Sequence, residues 1–218
     1  MQEARSHGIR VLPPEILSSV FEFAAQDQLA VSVHISHVCR SWRNLAIGTP
    51  RLWTTIELCG SVERVDALLE RSKAALLDIR MHPDVENDWQ NCPILIQSVS
   101  AAAAHGKRWR TFTCWHDPHV TELRLDALKR VQTPNLEHIA VLNPTDVIFP
   151  HLPALRSLIF EYISPDAPPS FPAEKFSQLT HFSYHLNDGM TYIASTAAQL
   201  ILTNILQRPV SSATCPTS

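Results

Sequence analysis

Apolar side chains at Ile16, Leu17, Val20, Phe21 and Ala24 stand one, three and four residues apart, the spacing of an amphipathic helix. Leu12-Pro13-Pro14-Glu15 opens it. Proline is tolerated in a first turn, where its missing N–H has no helical partner to lose, and Glu15 sits well against the positive helix N-terminus. Asp27 is a candidate N-cap for the next segment, which carries Leu29, Val31, Val33, Ile35, Val38, Cys39 and Trp42, with Leu45 and Ala46 beyond. This pattern predicts two short helices with a break near Ser36, ended by Thr49-Pro50. Three helices this short bury too little apolar surface to stand alone, so they require a partner or a neighbouring unit.

From Trp53 the period changes. A large apolar residue, two others, an apolar residue, one other and a further apolar residue recur as Trp53-x-x-Ile56-x-Leu58, Leu76-x-x-Ile79-x-Met81 and Trp109-x-x-Phe112-x-Cys114. The same pattern returns as Leu136-x-x-Ile139-x-Val141, Leu155-x-x-Leu158-x-Phe160 and Leu179-x-x-Phe182-x-Tyr184. The starts are 19 to 33 residues apart, near the roughly 20–29 of leucine-rich repeats. The last two apolar positions alternate with polar ones, as a half-buried strand requires. Helical spacing returns between strands at residues 62–71, with Ser61 as a candidate N-cap, at 92–104 and at 120–131, and a long final helix is expected over 191–207.

The expected fold class is α+β or an α/β solenoid: a three-helix N-terminal unit, then a short irregular leucine-rich-repeat array with a parallel sheet. The expected organisation is a disordered start over 1–9, the helical unit over 10–55, the array over 56–207 and a disordered Ser/Thr/Pro-rich tail over 208–218. The repeats lack the usual asparagine position, and an array that ends early is expected.

Composition narrows the function classes. Hydrophobic residues make up 45% of the 218 and charged ones 18%, enough to bury a core. A formal net charge of −3 is not that of a protein whose main partner is nucleic acid or an anionic membrane. Five cysteines, odd in number and widely spaced, read as free thiols in a reducing compartment, and a cytoplasmic or nuclear location is expected. With 5 glycines, phosphate-cradling loops are disfavoured.

The stretches Leu12-Pro13-Pro14-Glu15-Ile16-Leu17, Ser36-His37-Val38-Cys39-Arg40-Ser41-Trp42 and Thr49-Pro50-Arg51-Leu52-Trp53, in that order and separation, resemble the F-box motif. They are most similar to the version common in large fungal families, over residues 10–55. The resemblance implies binding to the Skp-type adaptor of cullin–RING ubiquitin ligases and, through it, to a cullin. By position, Leu12, Pro13, Ile16 and Leu17 match the first adaptor-contacting segment, and Val38, Cys39 and Trp42 the second. Phe21, Leu45 and Trp53 read as core. The chain departs from the motif at Gln26-Asp27-Gln28, where many relatives carry a hydrophobic residue or a proline.

No catalytic centre or cofactor is expected. The chain has no G-x-S-x-G, Walker loop or H-E-x-x-H. His34, His37 and Cys39 lie close together, but Cys39 occupies the expected apolar patch and no fourth zinc ligand stands near. The expected role is therefore substrate recruitment to an SCF-type ligase. The protein substrate would be selected by strand-face residues such as Arg80, Thr113, His138, Arg156 and His181. A scaffold that keeps the F-box but acts outside the ligase is the alternative.

Overall fold

The computed structural model describes residues 12–26, 28–58, 61–81, 93–114, 130–142, 152–163, 178–186 and 191–194. The expected helix over 120–131 lies almost wholly outside them, as do the two expected disordered ends.

The N-terminal unit is three helices: α1 (Pro14–Ala24), α2 (Leu29–Val38) and α3 (Arg40–Gly48). A 3₁₀ turn, Pro50–Trp53, leads from α3 into β1 (Thr55–Glu57). The break between α2 and α3 falls at Cys39, in an extended conformation (φ −158°, ψ 169°), rather than near Ser36. Ser36 stays helical because its hydroxyl donates back to the Val33 carbonyl at 2.7 Å, while Arg43 Nε donates to the Ser36 carbonyl at 3.0 Å and ties α3 to the end of α2. The N-cap of α2 is Gln28, with no side-chain cap bond, and Asp27 lies outside the described residues.

The rest of the described chain is a sheet with helices on one face. Its elements are α4 (Val62–Arg71), β2 (Leu77–Met81), α5 (Pro93–Ala103), a 3₁₀ turn (Gly106–Arg108), β3 (Trp109–Cys114), β4 (His138–Leu142), β5 (Ser157–Ile163), β6 (His181–Leu186) and β7 (Thr191–Ala194). Spatial order follows chain order from β1 to β7; β1 to β6 are parallel and β7 is antiparallel to β6. The expected final helix is therefore corrected at its start: residues 191–194 are a strand, Tyr192 pairing with Tyr184, and the remainder lies outside the described residues. β-branched Thr191 and Ile193 with Tyr192 favour that pairing over a helical turn.

Register converts the repeated pattern into one buried row. Ile56, Ile79, Phe112, Ile139, Leu158 and Phe182 are successive partners across the six parallel strands, each no more than 4% exposed. The row behind it, Met81, Cys114, Val141 and Phe160, is equally buried. One repeat departs from the pattern. Leu76 is 38% exposed and Leu77 takes the buried place, because Leu77 pairs with Trp109 whereas Asp78 pairs with Thr111, so a bulge at Arg110 absorbs one residue.

α4 forms where its caps direct. The Ser61 hydroxyl accepts from the Arg64 N–H at 3.3 Å, Glu63 sits in the first turn and Arg71 in the last. Hydrogen bonds from its own backbone N–H and from Ser61 hold the Glu63 carboxyl below the usual carboxylate range. Val65, Leu68 and Leu69 face inward, joined by Leu95, Val99 and Ala102 of α5.

Two junctions, α3 to β1 and α5 to β3, are built alike. Trp53 donates its indole N–H to the Ala46 carbonyl at 2.8 Å, and Trp109 donates to Ala102 at 3.1 Å. In each a helix ends, a 3₁₀ turn follows, and a buried tryptophan, at the end of the turn in one and at the start of the strand in the other, bonds back seven residues. The guanidinium of Arg71 lies 4.9 Å from the Trp53 ring centroid. α3 thus serves β1 as α5 serves β3, and the helical unit continues into the sheet without a linker.

Candidate interaction surface

α1 carries two apolar faces. Leu17 and Phe21, one turn apart, are buried at 7% and 2% exposure. Leu12, at the entry to the helix, is 40% exposed, and Ile16, Val20 and Phe23 are 52%, 44% and 80% exposed. At 100° per residue Ile16, Val20 and Phe23 fall within an arc of roughly 60°. The entry is set by Pro13, whose carbonyl accepts from the Leu17 N–H at 3.0 Å, and by Pro14 at the first helical position. Ser18 and Ser19 donate back to the Pro14 and Glu15 carbonyls at 2.8 and 3.0 Å, and the Ser18 hydroxyl also accepts from Thr49 Oγ1 at 3.5 Å.

Of the residues the sequence singles out, Leu12, Pro13, Ile16, Val38 and Cys39 are exposed, with Val38 at 61%. Leu17, 7% exposed, belongs to the core, where it holds α1 in place. Trp42 is half-buried, packed on that core with its ring 4.7 Å from Phe21; its inner face is structural. Phe21 and Trp53 are core, and Leu45 packs against it. Val20 and Phe23 are the surface residues that sequence reasoning missed. The signal was the 3-and-4 spacing from Ile16, hidden because Leu17 and Phe21 share the same period.

A second surface lies on the sheet face opposite the helices. Its outward rows are Thr55, Asp78, Thr111, His138, Ser157 and His181, and Glu57, Arg80, Thr113, Ala140, Ile159 and Ser183. Beside the first row, Arg110, Glu137, Arg156 and Thr180 form a rim, each N–H after Arg110 donating to the carbonyl before it at 2.8 Å. Asp78 is fixed by Arg110 at 2.7 and 3.2 Å and by the Thr111 hydroxyl at 2.9 Å. A trough of ≈ 500 Å³ runs over this face from β2 to β5, lined by Asp78, Arg80, Arg110, Glu137, His138 and Ser157 among others. At Asp78 and Arg110 it meets a cleft of ≈ 760 Å³ between α1, α2 and the start of the sheet, whose lining includes Phe23, Leu29, Leu52 and Leu76.

Among the described residues, neither place assembles a nucleophile with a base, and no group of three or more His, Cys, Asp or Glu side chains is arranged to hold a metal. No described helix is long and apolar enough to cross a membrane. The described residues thus combine a small helical unit, whose apolar stripe faces away from its core, with a parallel sheet. Residues 9–59 match the F-box-like family, so the helical unit, the 3₁₀ turn and β1 together carry an F-box-like domain. No curated protein and no solved structure matches the chain.

Proposed function

We propose that this chain is a substrate-recruiting subunit of an SCF-type cullin–RING ubiquitin ligase. Its F-box-like domain docks on a Skp-type adaptor through Leu12, Pro13, Ile16, Val20 and Val38, with Cys39 and the outer edge of Trp42 beside them. The sheet, an irregular leucine-rich-repeat array in this reading, holds the protein to be modified on its outer face. The observation that carries the proposal is the stripe on α1, apolar yet directed away from a core that Leu17 and Phe21 already complete. Full burial of an aliphatic or aromatic side chain is worth about 2 kcal/mol. At their observed exposures, Leu12, Ile16, Val20 and Phe23 together hold about 4 kcal/mol that only another polypeptide can collect.

In this role the chain does no chemistry. It raises the effective concentration of a substrate lysine near the ubiquitin-loaded enzyme, and an unbroken path from α3 through Trp53 into β1 supports the fixed geometry that such presentation needs.

Co-purification of the full chain with a Skp-type adaptor, with and without Ile16→Asp and Val38→Asp, tests the proposal. The native chain is expected to retain the adaptor and then a cullin, and the double variant to lose both while its thermal unfolding is unchanged. Failure of the native chain to bind would overturn the proposal, and adaptor binding without cullin would move the protein outside the ligase.

A further inference from the structure

The charges of the helical unit are divided unevenly. Between Asp27 and Glu57 the chain carries no carboxylate side chain, while Arg40, Arg43 and Arg51 lie inside that interval together with His34 and His37. The whole chain has a formal charge of −3, so this stretch runs against the balance of the molecule. Arg51 lies beyond the far end of α3 and turns to Glu22 of α1, 3.7 Å away. The other four gather towards the elbow where α2 passes into α3.

Helical spacing sets them on shared faces. His34, His37 and Val38 stand three and four residues apart on α2, and Arg40, Arg43 and Ile47 do so on α3. All of them are exposed, Val38 at 61% and Ile47 at 42%. Arg43 Nε donates to the Ser36 carbonyl at 3.0 Å, which holds the two helix ends together while the residue itself stays exposed. Among the described residues no hydrogen bond or ion pair engages the side chains of His34, His37 or Arg40. Half-buried Trp42, in the same first turn of α3, packs 4.7 Å from Phe21 and so ties the elbow to α1. Val38 is thus an apolar spot flanked by cations and donors, with no carboxylate in either helix to balance them.

We propose that the α2–α3 elbow docks on an acidic patch of the adaptor, whose carboxylates pair with Arg40 and Arg43 on either side of the Val38 contact. The inference rests on the adaptor-binding reading above and adds to it the charge of the surface that the adaptor must present. An apolar contact such as Val38 supplies affinity but discriminates little between one greasy surface and another. Two guanidiniums without an internal acid select a carboxylate-bearing partner, repel a basic one and steer the encounter. Guanidinium–carboxylate pairs are among the stronger polar contacts, and the His34 and His37 rings add hydrogen-bond donors beside them.

The test is calorimetry of the purified full chain with a Skp-type adaptor, from about 0.05 to 0.5 M salt. Native binding is expected to weaken about tenfold over that range. Arg40→Glu should weaken it about tenfold at low salt and much less at high salt. Arg40→Lys restores the charge and should recover most of the loss. Lys107→Glu makes the same change in net charge at the turn before β3 and should leave the affinity unchanged. Arg40 opens α3, where a glutamate suits the helix N-terminus, so Arg40→Glu should unfold at no lower a temperature than the native chain. Salt-indifferent binding, Arg40→Glu that binds like the native chain, or an equal loss in Lys107→Glu would each overturn this inference and leave the ligase reading standing. Tighter capture of a single-stranded oligonucleotide than of the adaptor, abolished in Arg40→Glu, would assign the elbow to nucleic acid and overturn it as well. A native chain that binds no Skp-type adaptor at either salt removes the ligase reading and this inference with it.

Discussion

Ile16 and Leu17 are neighbours in sequence and opposites in role, which makes a paired substitution the sharpest test of how α1 works. Ile16 is 52% exposed in the free chain, so a partner that covers it hides about half of the side chain. With about 2 kcal/mol for complete burial, Ile16→Ala should cost about 1 kcal/mol of adaptor binding, roughly a fivefold weaker Kd. Ile16→Asp also forces an unpaired charge into the interface and should weaken binding more than about a hundredfold. Neither change removes a folded contact of note, so stability should move by no more than about 0.5 kcal/mol. Leu17, at 7% exposure, belongs to the core. Leu17→Ala should cost about 3 kcal/mol of stability and lower Tm by roughly 10 °C. Calorimetry against a Skp-type adaptor and thermal unfolding read both axes. If Ile16→Asp binds like the native chain, or if it destabilises the fold as Leu17→Ala does, the assignment of two faces to α1 is wrong.

Other substitutions probe the framework. Trp53→Phe and Trp109→Phe each leave a carbonyl, Ala46 or Ala102, without its buried indole donor, and each should cost about 1–3 kcal/mol in chemical denaturation. Gly106→Ala places a Cβ 2.8 Å from the Gln132 carbonyl oxygen and against Val131, so it should destabilise by about 2 kcal/mol. Gly48→Ala meets nothing within 4 Å at the end of α3 and should be neutral or stabilising by up to about 1 kcal/mol in the same assay. Burial, and then the charge of Arg108, depress the His105 pKa below its ordinary 6.5, so the unfolded chain takes up a proton before the folded one does. Stability should therefore decline as pH falls through and below that value, and His105→Asn should flatten this part of the profile in pH-dependent thermal unfolding.

The strands were legible because their apolar positions are set by two constraints at once, alternation along a strand and alignment across the sheet. Ile56, Ile79, Phe112, Ile139, Leu158 and Phe182 satisfy both, and each lies where the repeat predicts. Leu76 and Leu77 could not be separated by pattern, since both are leucine and the bulge that decides between them belongs to the facing strand. Residues 191–194 read as helix because apolar spacing alone does not distinguish a helix start from a short strand; pairing with β6 decides it. In the helical unit the three helices were readable from period and proline, but the direction of each side chain was not. Leu17 and Trp42 turn inward, whereas Val20 and Phe23 turn outward, because packing against α3 fixes the rotation of α1, and that rotation appears nowhere in a linear pattern.

Because each parallel strand bonds to its nearest neighbours in sequence, the position of a residue on the outer face is set by its own strand and is indifferent to the length of chain that precedes it. The intervals of 19 to 33 residues are the visible result: growth and shrinkage are absorbed off the ladder. Adding or deleting one whole unit would lengthen or shorten the face by a step of about 4.8 Å and leave the other rungs aligned. A chain organised in this way can alter its reach over evolutionary time in fixed increments, while the opening helices continue to meet whatever they meet.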